Sequence, residues 1–414
     1  MRNVLIVGVD IHRKTNTFCL MDESGVEQRP RFSLDNNRPG TRKFVEQVVD
    51  VMQNEEFDEL RLAAEATGWY WFHFFQTLQQ EEVLRAWPVE LFALNPRMTA
   101  NFKKSYGELD KSDVNDAYLI ADRLRWGRDL PQPFSFEERY LALRFLTRYR
   151  YHVVHQLARE KAYCTSILYL KASEYSRKDR QAFSDLFGAA SRAVLEEFAS
   201  VEEVAALPFE QLVEFIDVHG KRRFPDPATN ARQLQRLAQD SYHLPAALQA
   251  PIQLILGLSL KQITALEGQL KRIDTAIAEA LSSIPHSLDT IPGFGPVFSA
   301  GIIAEIGHGE HFNADQNKVA DYAGLRWRQS GSADFQAEDT PLTRKGNMYL
   351  RYYFCEAAVS MQRRDAEYAA FYKKKYAEAS KHRHKRATVL TARKLVRLVV
   401  HLLATNQPYQ PRKV

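Results

Sequence analysis

Short hydrophobic runs separated by polar turns occupy the start of the chain, a pattern typical of alternating strands and helices. The first run, residues 3–10, ends on an acid and is followed by a polar turn. The segments that we predict as strands are 3–10, 17–21, 30–34, 60–65 and, as a fifth, 84–88. The segments that we predict as helices are 41–53 and 111–126. Residues 1–130 therefore predict a mixed α/β domain that opens with a three-stranded meander.

The middle of the chain has a longer hydrophobic period, in which apolar residues recur every three to four positions. Residues 136–175 and 245–283 predict long helices, and the spacing favours coiled-coil or antiparallel helix packing. Helices are expected again from about 346 to 404. The predicted organisation is an α/β domain at 1–130, a helical region at 131–283 and a second helical domain at 284–414.

Charge changes this picture mainly through its placement. Lysine and arginine exceed aspartate and glutamate by 56 to 51, a mildly basic balance that many proteins share. Ten basic residues are concentrated near the end of the chain, at Lys373, Lys374, Lys375, Lys381, Arg383, Lys385, Arg386, Arg393, Lys394 and Arg397. Such a block is typical of nucleic-acid contact or of a solvated helix face, and charge alone does not separate the two.

Cysteine content and hydropathy exclude several classes of protein. The 3 cysteines are far apart and form no CxxC pair, so neither a structural zinc site nor a disulfide framework is expected. No apolar stretch is long enough to span a bilayer, and the N-terminus has no signal pattern. We therefore expect a protein of the reduced cytoplasm with no membrane partner.

Four acidic residues stand where their carboxylates could converge. Asp10 ends the first predicted strand, Glu65 ends a later one, and Asp113 and Asp116 share one face of a predicted helix. A carboxylate at the end of an apolar strand is costly to bury without a partner, and hard cations such as magnesium prefer oxygen ligands. Metal-dependent cleavage of phosphodiesters uses such sets, with two cations about 4 Å apart. The order of the acids resembles the ribonuclease-H-like fold of RuvC-type nucleases.

Each acid also has an ordinary interpretation when it is taken alone. Asp10 could form a turn, Glu65 could cap the next helix, and the two helix acids could be terminal or solvated charges. Actin-like ATPases and sugar kinases are an alternative enzyme class, because they too open with a strand, an aspartate and a polar turn. They need a second glycine-containing phosphate loop, whereas residues 130–290 read as helical.

The last third of the chain begins with a glycine-containing turn before an apolar helix. Residues 291–296, Ile-Pro-Gly-Phe-Gly-Pro, predict a helix-hairpin-helix in which Gly293 and Gly295 let backbone amides approach a phosphate. The alternative is a tight turn between packed helices. Further candidates for phosphate binding, which could equally be solvated, are Arg344, Lys345 and Arg351.

Ser330 stands in a glycine-containing loop, Gln-Ser-Gly-Ser at 329–332. A serine hydroxyl is a poor nucleophile unless a base or a metal activates it, and no histidine lies near it in sequence. From the residues alone, an ordinary loop serine is the favoured interpretation.

Together, these segments resemble the DEDD transposases of the insertion-sequence family numbered one hundred and ten. The resemblance covers about residues 4–126 and 284–364. The segments that carry it are 7–10, 64–68, 111–117, 291–307, 323–325, 329–331, 345–346 and 350–351. The chain departs from the family pattern at Trp327, where proline is usual, at Ser112 in place of threonine, and in the order of Arg344 and Lys345.

The resemblance implies a transposase that cuts and rejoins donor and target DNA. The four acids would form a RuvC-like site for Mg²⁺, and Ser330 would be the nucleophile, although Ser332 lies only two residues away. A structured bridge RNA would guide the protein, the region 131–283 would supply dimer contacts, and two dimers would form a tetramer at the bacterial nucleoid. Two other functions remain open, a metal-dependent junction nuclease that uses no serine and a nucleic-acid-binding protein without catalysis.

Overall fold

A computed structural model gives the fold. It describes residues 3–107, 112–128, 130, 131, 133, 134, 137–307, 312–327, 342, 343 and 345–411, and the backbone alone of 331, 332, 335 and 336. The chain divides into two compact units, Met1–Glu138 and Arg139–Val414. Within the described ranges, no helix has both the length and the apolar character that crossing a membrane requires.

A five-stranded sheet forms the centre of the first unit, in the order β3-β2-β1-β4-β5. The central strand β1 pairs antiparallel with β2 and parallel with β4, and β5 continues the parallel half. The strands are β1 Val4–Ile11, β2 Thr15–Met21, β3 Phe32–Asp35, β4 Glu59–Glu65 and β5 Val89–Leu94. This order and these directions are consistent with a ribonuclease-H-like domain, as the sequence predicted.

Both faces of the sheet are covered, which explains the continuous apolar runs in its central strands. Leu5, Val7 and Val9 pack into one cluster, whereas Val4 and Ile6, at the alternate positions, pack into a second. The helices of the unit are α1 Arg38–Asn54, α2 Phe72–Gln80, α3 Pro96–Lys103 and α4 Asp113–Arg125. The first cluster includes residues of α1 and α2, and the second includes residues of α4.

The prediction of a fifth strand at 84–88 is wrong by a few residues. Glu82–Ala86 is a 3-10 turn that buries Leu84, and the strand begins only at Val89. Pro88 has no N–H to donate to a sheet, but its carbonyl accepts a hydrogen bond from the Leu60 amide at 2.9 Å. Pairing with β4 therefore begins at Pro88, which the sequence predicted as the last residue of the strand.

Among its described residues, the second unit contains helices and a two-stranded ribbon, β6 Gly331–Ser332 and β7 Phe335–Gln336. Its first six helices are α5 Glu138–Lys171, α6 Ala189–Glu197, α7 Val201–Ala206, α8 Phe209–His219, α9 Pro227–Asp240 and α10 Ala246–Leu281. Its last five are α11 Pro296–Ile306, α12 Gln316–Tyr322, α13 Met348–Arg364, α14 Ala366–Glu378 and α15 Arg383–Thr405. The two long helices predicted from the hydrophobic period are α5 and α10.

These long helices lie side by side and run in opposite directions. Arg150 pairs with Asp274 at 2.6 Å, and Lys161, eleven residues later on α5, pairs with Glu267, seven residues earlier on α10, at 2.8 Å. The buried apolar positions of α10 recur every three to four residues along much of its length, at Leu256, Leu260, Ile263, Leu266, Ile273, Ile277 and Leu281. The predicted antiparallel helix packing is therefore present in this unit.

Candidate active site

Helix α4 lies directly on β1 because Gly8 has no side chain. A Cβ atom added to Gly8 would lie 2.3 Å from the backbone nitrogen of Ala121, far inside van der Waals contact. Since α4 crosses the sheet so closely, its first turn reaches the carboxyl end of β1. The acidic residues of α4 and the acid at the end of β1 are thus brought to the same place.

Asp10 is the penultimate residue of β1, and its side chain is 15% exposed. The Nε2 atom of His12 lies 3.2 Å from its Oδ2 atom. The pKa of Asp10 is raised to about 6, chiefly by burial; the charges of Asp113 and Asp116 add to the rise, and His12 opposes it. A half-buried carboxylate with a raised pKa is one whose charge is incompletely compensated, so the position favours a bound cation.

Asp113 and Asp116 occupy the first turn of α4, which Ser112 caps by accepting a hydrogen bond from the Asn115 amide. Acids in this turn interact favourably with the helix dipole. An Oδ1 atom of Asp113 lies 3.5 Å from Nε2 of His12, whereas Asp116 accepts a hydrogen bond from the Lys103 ammonium at 2.5 Å. The sequence placed these two acids together, but the structure gives them different partners.

Glu65 is the last residue of β4, the parallel neighbour of β1. Because Ala64 is in register with Val9, Glu65 is level with Asp10 and shares its face of the sheet. Its carboxylate accepts hydrogen bonds from the Thr67 hydroxyl at 2.6 Å and from the Thr99 hydroxyl. All four acids thus belong to one end and one face of the sheet, but only Asp10 and Asp113 share a contact partner.

The donor set at this sheet end fits a divalent cation. One ligand atom from each of Asp10, His12 and Asp113 can be chosen so that all three lie within 4.8 Å of one another. Sequence reasoning treated His12 as a turn residue and did not identify Thr99 or Lys103. The signal for His12 was available, because positions two apart at the end of a strand point to the same face.

In the second unit, two chain segments form a stem that brackets the predicted serine loop. Trp327 bridges to Leu342, and the Thr343 amide donates to the Arg326 carbonyl at 2.9 Å. Gly324 and Gly346 close the stem with φ values of +68° and +112°, which disfavour residues with a side chain. Three predicted site residues lie outside the described residues: Gln329, the candidate nucleophile Ser330 and the candidate phosphate contact Arg344.

A buried charge network lies next to this stem and contacts it through Asn347. The Glu305 carboxylate is fully buried and accepts two hydrogen bonds from the Arg148 guanidinium, at 2.7 and 2.9 Å. It also accepts a hydrogen bond at 2.6 Å from Asn347, whose own oxygen caps α13. Burial opposes ionisation of Glu305, but the hydrogen bonds and charge of Arg148 hold its pKa below the usual range. Sequence reasoning did not identify this network.

The predicted hairpin residues have different surroundings. Gly293 has a φ of +87° and packs on α13, where a Cβ atom would lie 2.6 Å from the Ser360 hydroxyl. Gly295 is the N-cap of α11, and a Cβ atom there would meet no described atom within 4 Å. Of the predicted basic contacts, Lys345 is exposed, and Arg351 donates to the Ala323 carbonyl at 3.2 Å. Gly293 and Arg351 therefore have structural contacts, whereas the space around Gly295 is open.

The basic block near the end of the chain divides into two parts. Lys394 is part of the fold, because it pairs with Glu367 at 2.8 Å and lies over the Tyr368 ring. Arg393 donates to Asn317 at 2.7 Å. The exposed residues are Arg397, further along α15, and six that surround the junction of α14 and α15: Lys373, Lys374, Lys381, Arg383, Lys385 and Arg386.

Two family models match the chain, one in each half. Residues 7–171 match the IS110 DEDD transposase model, and residues 286–373 match the model of the IS116/IS110/IS902 transposase family. The first range contains the four acids and His12. The second contains the glycine turn before α11, the stem and the first turns of α14.

Proteins of insertion elements resemble most of the chain. An uncharacterized 42 kDa protein of insertion element IS900 from Mycobacterium paratuberculosis is 25% identical over 74% of this chain and 75% of its own length. An uncharacterized 44.8 kDa protein of insertion element IS116 from Streptomyces clavuligerus is 24% identical over 76% of this chain and 75% of its own length. With both halves matched to one group of transposases, the chain belongs to the IS110 family and is a DNA transposase.

Proposed function

We propose that this transposase cuts and rejoins donor and target DNA strands through a phosphoserine intermediate on Ser330, with Mg²⁺ held by Asp10, Glu65, Asp113 and Asp116. The observation that carries the proposal is the convergence of acids at the end of β1, where Asp10 and Asp113 both contact His12. Family membership implies a divalent metal, which these four acids would hold, and oxygen donors suit magnesium.

The acids that would hold the cation are fixed by different elements of the first unit. Asp10 is fixed by the sheet and Asp113 by the capped first turn of α4, so their separation depends on the Gly8 contact. Glu65 is held by two threonine hydroxyls at the level of Asp10. When bound, the cation would stabilise the negative charge that develops on the scissile phosphate.

The serine step conserves both atoms and electrons. The Ser330 oxygen forms a bond to phosphorus as the bond from phosphorus to the leaving deoxyribose oxygen breaks. The serine hydroxyl loses its proton, and the leaving oxygen gains one. Attack by a free DNA hydroxyl on the phosphoserine then reverses the step on a new partner strand. The stem at Gly324 and Gly346 supports this assignment, because the Trp327–Leu342 bridge fixes the two ends between which Ser330 stands in the sequence.

A composite site is part of the proposal. The serine would act with the acids of another subunit, in a tetramer of two dimers. The long helices α5 and α10 would pack as a coiled coil and would provide the dimer contacts. Support comes from Leu254 and Leu258, one turn apart on α10 and 63% and 57% exposed, because apolar residues at such spacing favour a partner helix.

Nucleic acid would be bound by the second unit. The exposed basic group at the α14–α15 junction supports contact with phosphates of DNA or of a guiding bridge RNA, at the bacterial nucleoid. The open space at Gly295 before α11 supports a helix-hairpin-helix contact, because the positive end of the helix dipole at a helix start favours anions. Arg344, Lys345 and Arg351 follow the serine loop and would add contacts there.

The test is formation of a covalent adduct between the full chain and DNA, in the presence of Mg²⁺ and the RNA of its element. Wild type and Ser332→Ala should give an adduct that resists denaturation, whereas Ser330→Ala should give none. Asp10→Asn should bind DNA but form no adduct. An adduct that persists in Ser330→Ala excludes this serine. Cleavage without any adduct supports the metal-dependent nuclease instead, and binding without cleavage supports a non-catalytic role.

A further inference from the structure

The imidazole of His12 lies between the two carboxylates that converge at the end of β1. Its Nε2 atom is 3.2 Å from Oδ2 of Asp10 and 3.5 Å from Oδ1 of Asp113. We propose that His12 is itself a ligand of the divalent ion, so that the centre contains one nitrogen donor beside its carboxylate oxygens. The inference rests on the proposed function, since it concerns the same metal centre.

The separations suit three ligands of one ion. In a six-coordinate site with bonds of about 2.1 Å, neighbouring ligand atoms lie about 3.0 Å apart and opposite ones about 4.2 Å apart. The two distances from His12 are close to the first value, and all three ligand atoms lie within 4.8 Å of one another. The separation of the chosen Asp10 and Asp113 atoms is at most 4.8 Å, so these two carboxylates could take opposite positions on the ion after a small inward shift.

The backbone holds His12 in this position on both sides. Its amide donates to the Thr15 carbonyl at 2.9 Å, which closes the β1–β2 turn. Its carbonyl accepts a hydrogen bond from the Asn36 side chain at 2.8 Å. The side chain is 52% exposed, so the ring is not buried as part of the core and remains open to an ion and to substrate.

The other two acids are already held by groups of the protein. Asp116 is paired with Lys103, and Glu65 accepts from Thr67 and Thr99. A first cation would therefore meet Asp10, Asp113 and His12 as its nearest donors. Lys103 can be displaced from Asp116 when a second ion binds, because both side chains are partly exposed.

A nitrogen donor changes which ions the centre prefers. Imidazole binds first-row transition ions well, whereas Mg²⁺ prefers carboxylate and water oxygens. We therefore expect Mn²⁺ to bind more tightly than Mg²⁺ by well over tenfold. His12→Ala should weaken Mn²⁺ binding by at least tenfold but weaken Mg²⁺ binding by less than about threefold.

The experiment uses the full chain after removal of metal, without DNA, so that it does not depend on catalysis. Mn²⁺ is titrated with electron paramagnetic resonance as the readout, and pulsed measurements detect ¹⁴N coupling from a directly bound imidazole. Wild type should show this coupling, and His12→Ala should lose it while keeping its circular dichroism spectrum. His73→Ala, which removes an exposed histidine of α2 in the same unit, is the matched control and should keep the coupling.

The outcomes separate this inference from the proposed function. If wild type binds Mn²⁺ without ¹⁴N coupling and Asp10→Asn loses that binding, the ligand role of His12 is overturned and the metal centre stands. Coupling that persists in His12→Ala overturns it as well. Failure of wild type to bind any Mn²⁺ or Mg²⁺ overturns the metal centre itself, and the ligand role with it.

Discussion

Gly8 on β1 lies so close to Ala117 on α4 that a Cβ atom added to Gly8 would be 2.2 Å from the Ala117 carbonyl oxygen. This approach sets the distance between the helix and the strand, and thereby the distance between the acids that each of them carries. The glycine is two residues before Asp10, and Ala117 is one residue after Asp116. One missing side chain therefore determines both the packing of the unit and the geometry of its candidate metal centre.

Gly8→Ala should destabilise the first unit by about 3 kcal/mol or more, because backbone atoms of a packed helix must move to admit the methyl group. The displacement of α4 should also weaken Mn²⁺ binding at the acids in the molecules that remain folded. Chemical unfolding followed by circular dichroism measures the first effect, and metal titration measures the second.

Gly257→Ala is the control for that substitution. Gly257 lies inside α10, and a Cβ atom there would meet no described atom within 4 Å. We expect this change to stabilise the second unit by up to about 1 kcal/mol, since alanine favours helix more than glycine does. A Gly8→Ala protein as stable as wild type would show that α4 and β1 are not in the contact described.

Much of the first unit could be predicted from periodicity. The acids at 10 and 65 end apolar runs, and the resulting strands proved to be parallel neighbours in the sheet. The prediction at 84–88 was wrong because an apolar 3-10 turn and an apolar strand have the same composition over five residues. Tertiary contact, here the hydrogen bond from Leu60 to Pro88, decides where strand pairing begins.

The partners of the acids could not be predicted from local pattern. Thr99 and Lys103 lie one turn apart on α3, where they look like an ordinary polar helix face, yet they contact Glu65 and Asp116. Those contacts depend on the position of α3 at the end of β5, which no sequence period specifies. The Glu305 network has the same character, because its members come from α5, α11 and the start of α13.

Asp10 should make the metal-free protein less stable as pH rises. Its folded-state pKa of about 6 lies above the ordinary value of 3.8, so the folded state binds the proton more tightly. Its stabilising contribution is complete below about pH 4 and is lost as pH rises through about 6. Allowing for its partial exposure, we expect Asp10→Asn to gain about 1 kcal/mol at pH 7.5 in EDTA.

Thermal unfolding between pH 4.5 and 7.5 measures this effect. The melting temperature of wild type should fall relative to that of Asp10→Asn as pH rises, whereas Asp50→Asn, an exposed acid on α1, should follow wild type. Added Mg²⁺ should reverse the order at pH 7.5, because only wild type keeps the carboxylate. Parallel curves for wild type and Asp10→Asn in EDTA would contradict the raised pKa.

Glu305→Gln should destabilise the second unit by about 3–5 kcal/mol, since it leaves the Arg148 guanidinium without its buried counter-charge. Glu378→Gln removes an exposed partner of Lys375 and should leave the stability close to that of wild type. Because the pKa of Glu305 is held below its usual range, its stabilisation is present at neutral pH and is lost on acidification below that range. Hydrogen exchange at α11 and α13 measures the loss locally, and equal protection in the two variants would contradict this account.

Lys103→Met should tighten the binding of divalent cations by up to about fivefold, because the ammonium that occupies Asp116 no longer competes with the ion. The same change should lower the melting temperature of the metal-free protein slightly, since the acids at the end of the sheet then repel one another without compensation. Lys104→Met removes the same charge from the exposed neighbouring position and should leave both quantities near those of wild type. Calorimetric titration with Mg²⁺ and Mn²⁺ tests the affinity, and thermal unfolding in EDTA tests the stability. Equal metal affinities for the two variants would show that Lys103 acts only through the net charge of the unit. Weaker binding in Lys103→Met alone would show that the lysine supports the metal centre and does not compete with the ion.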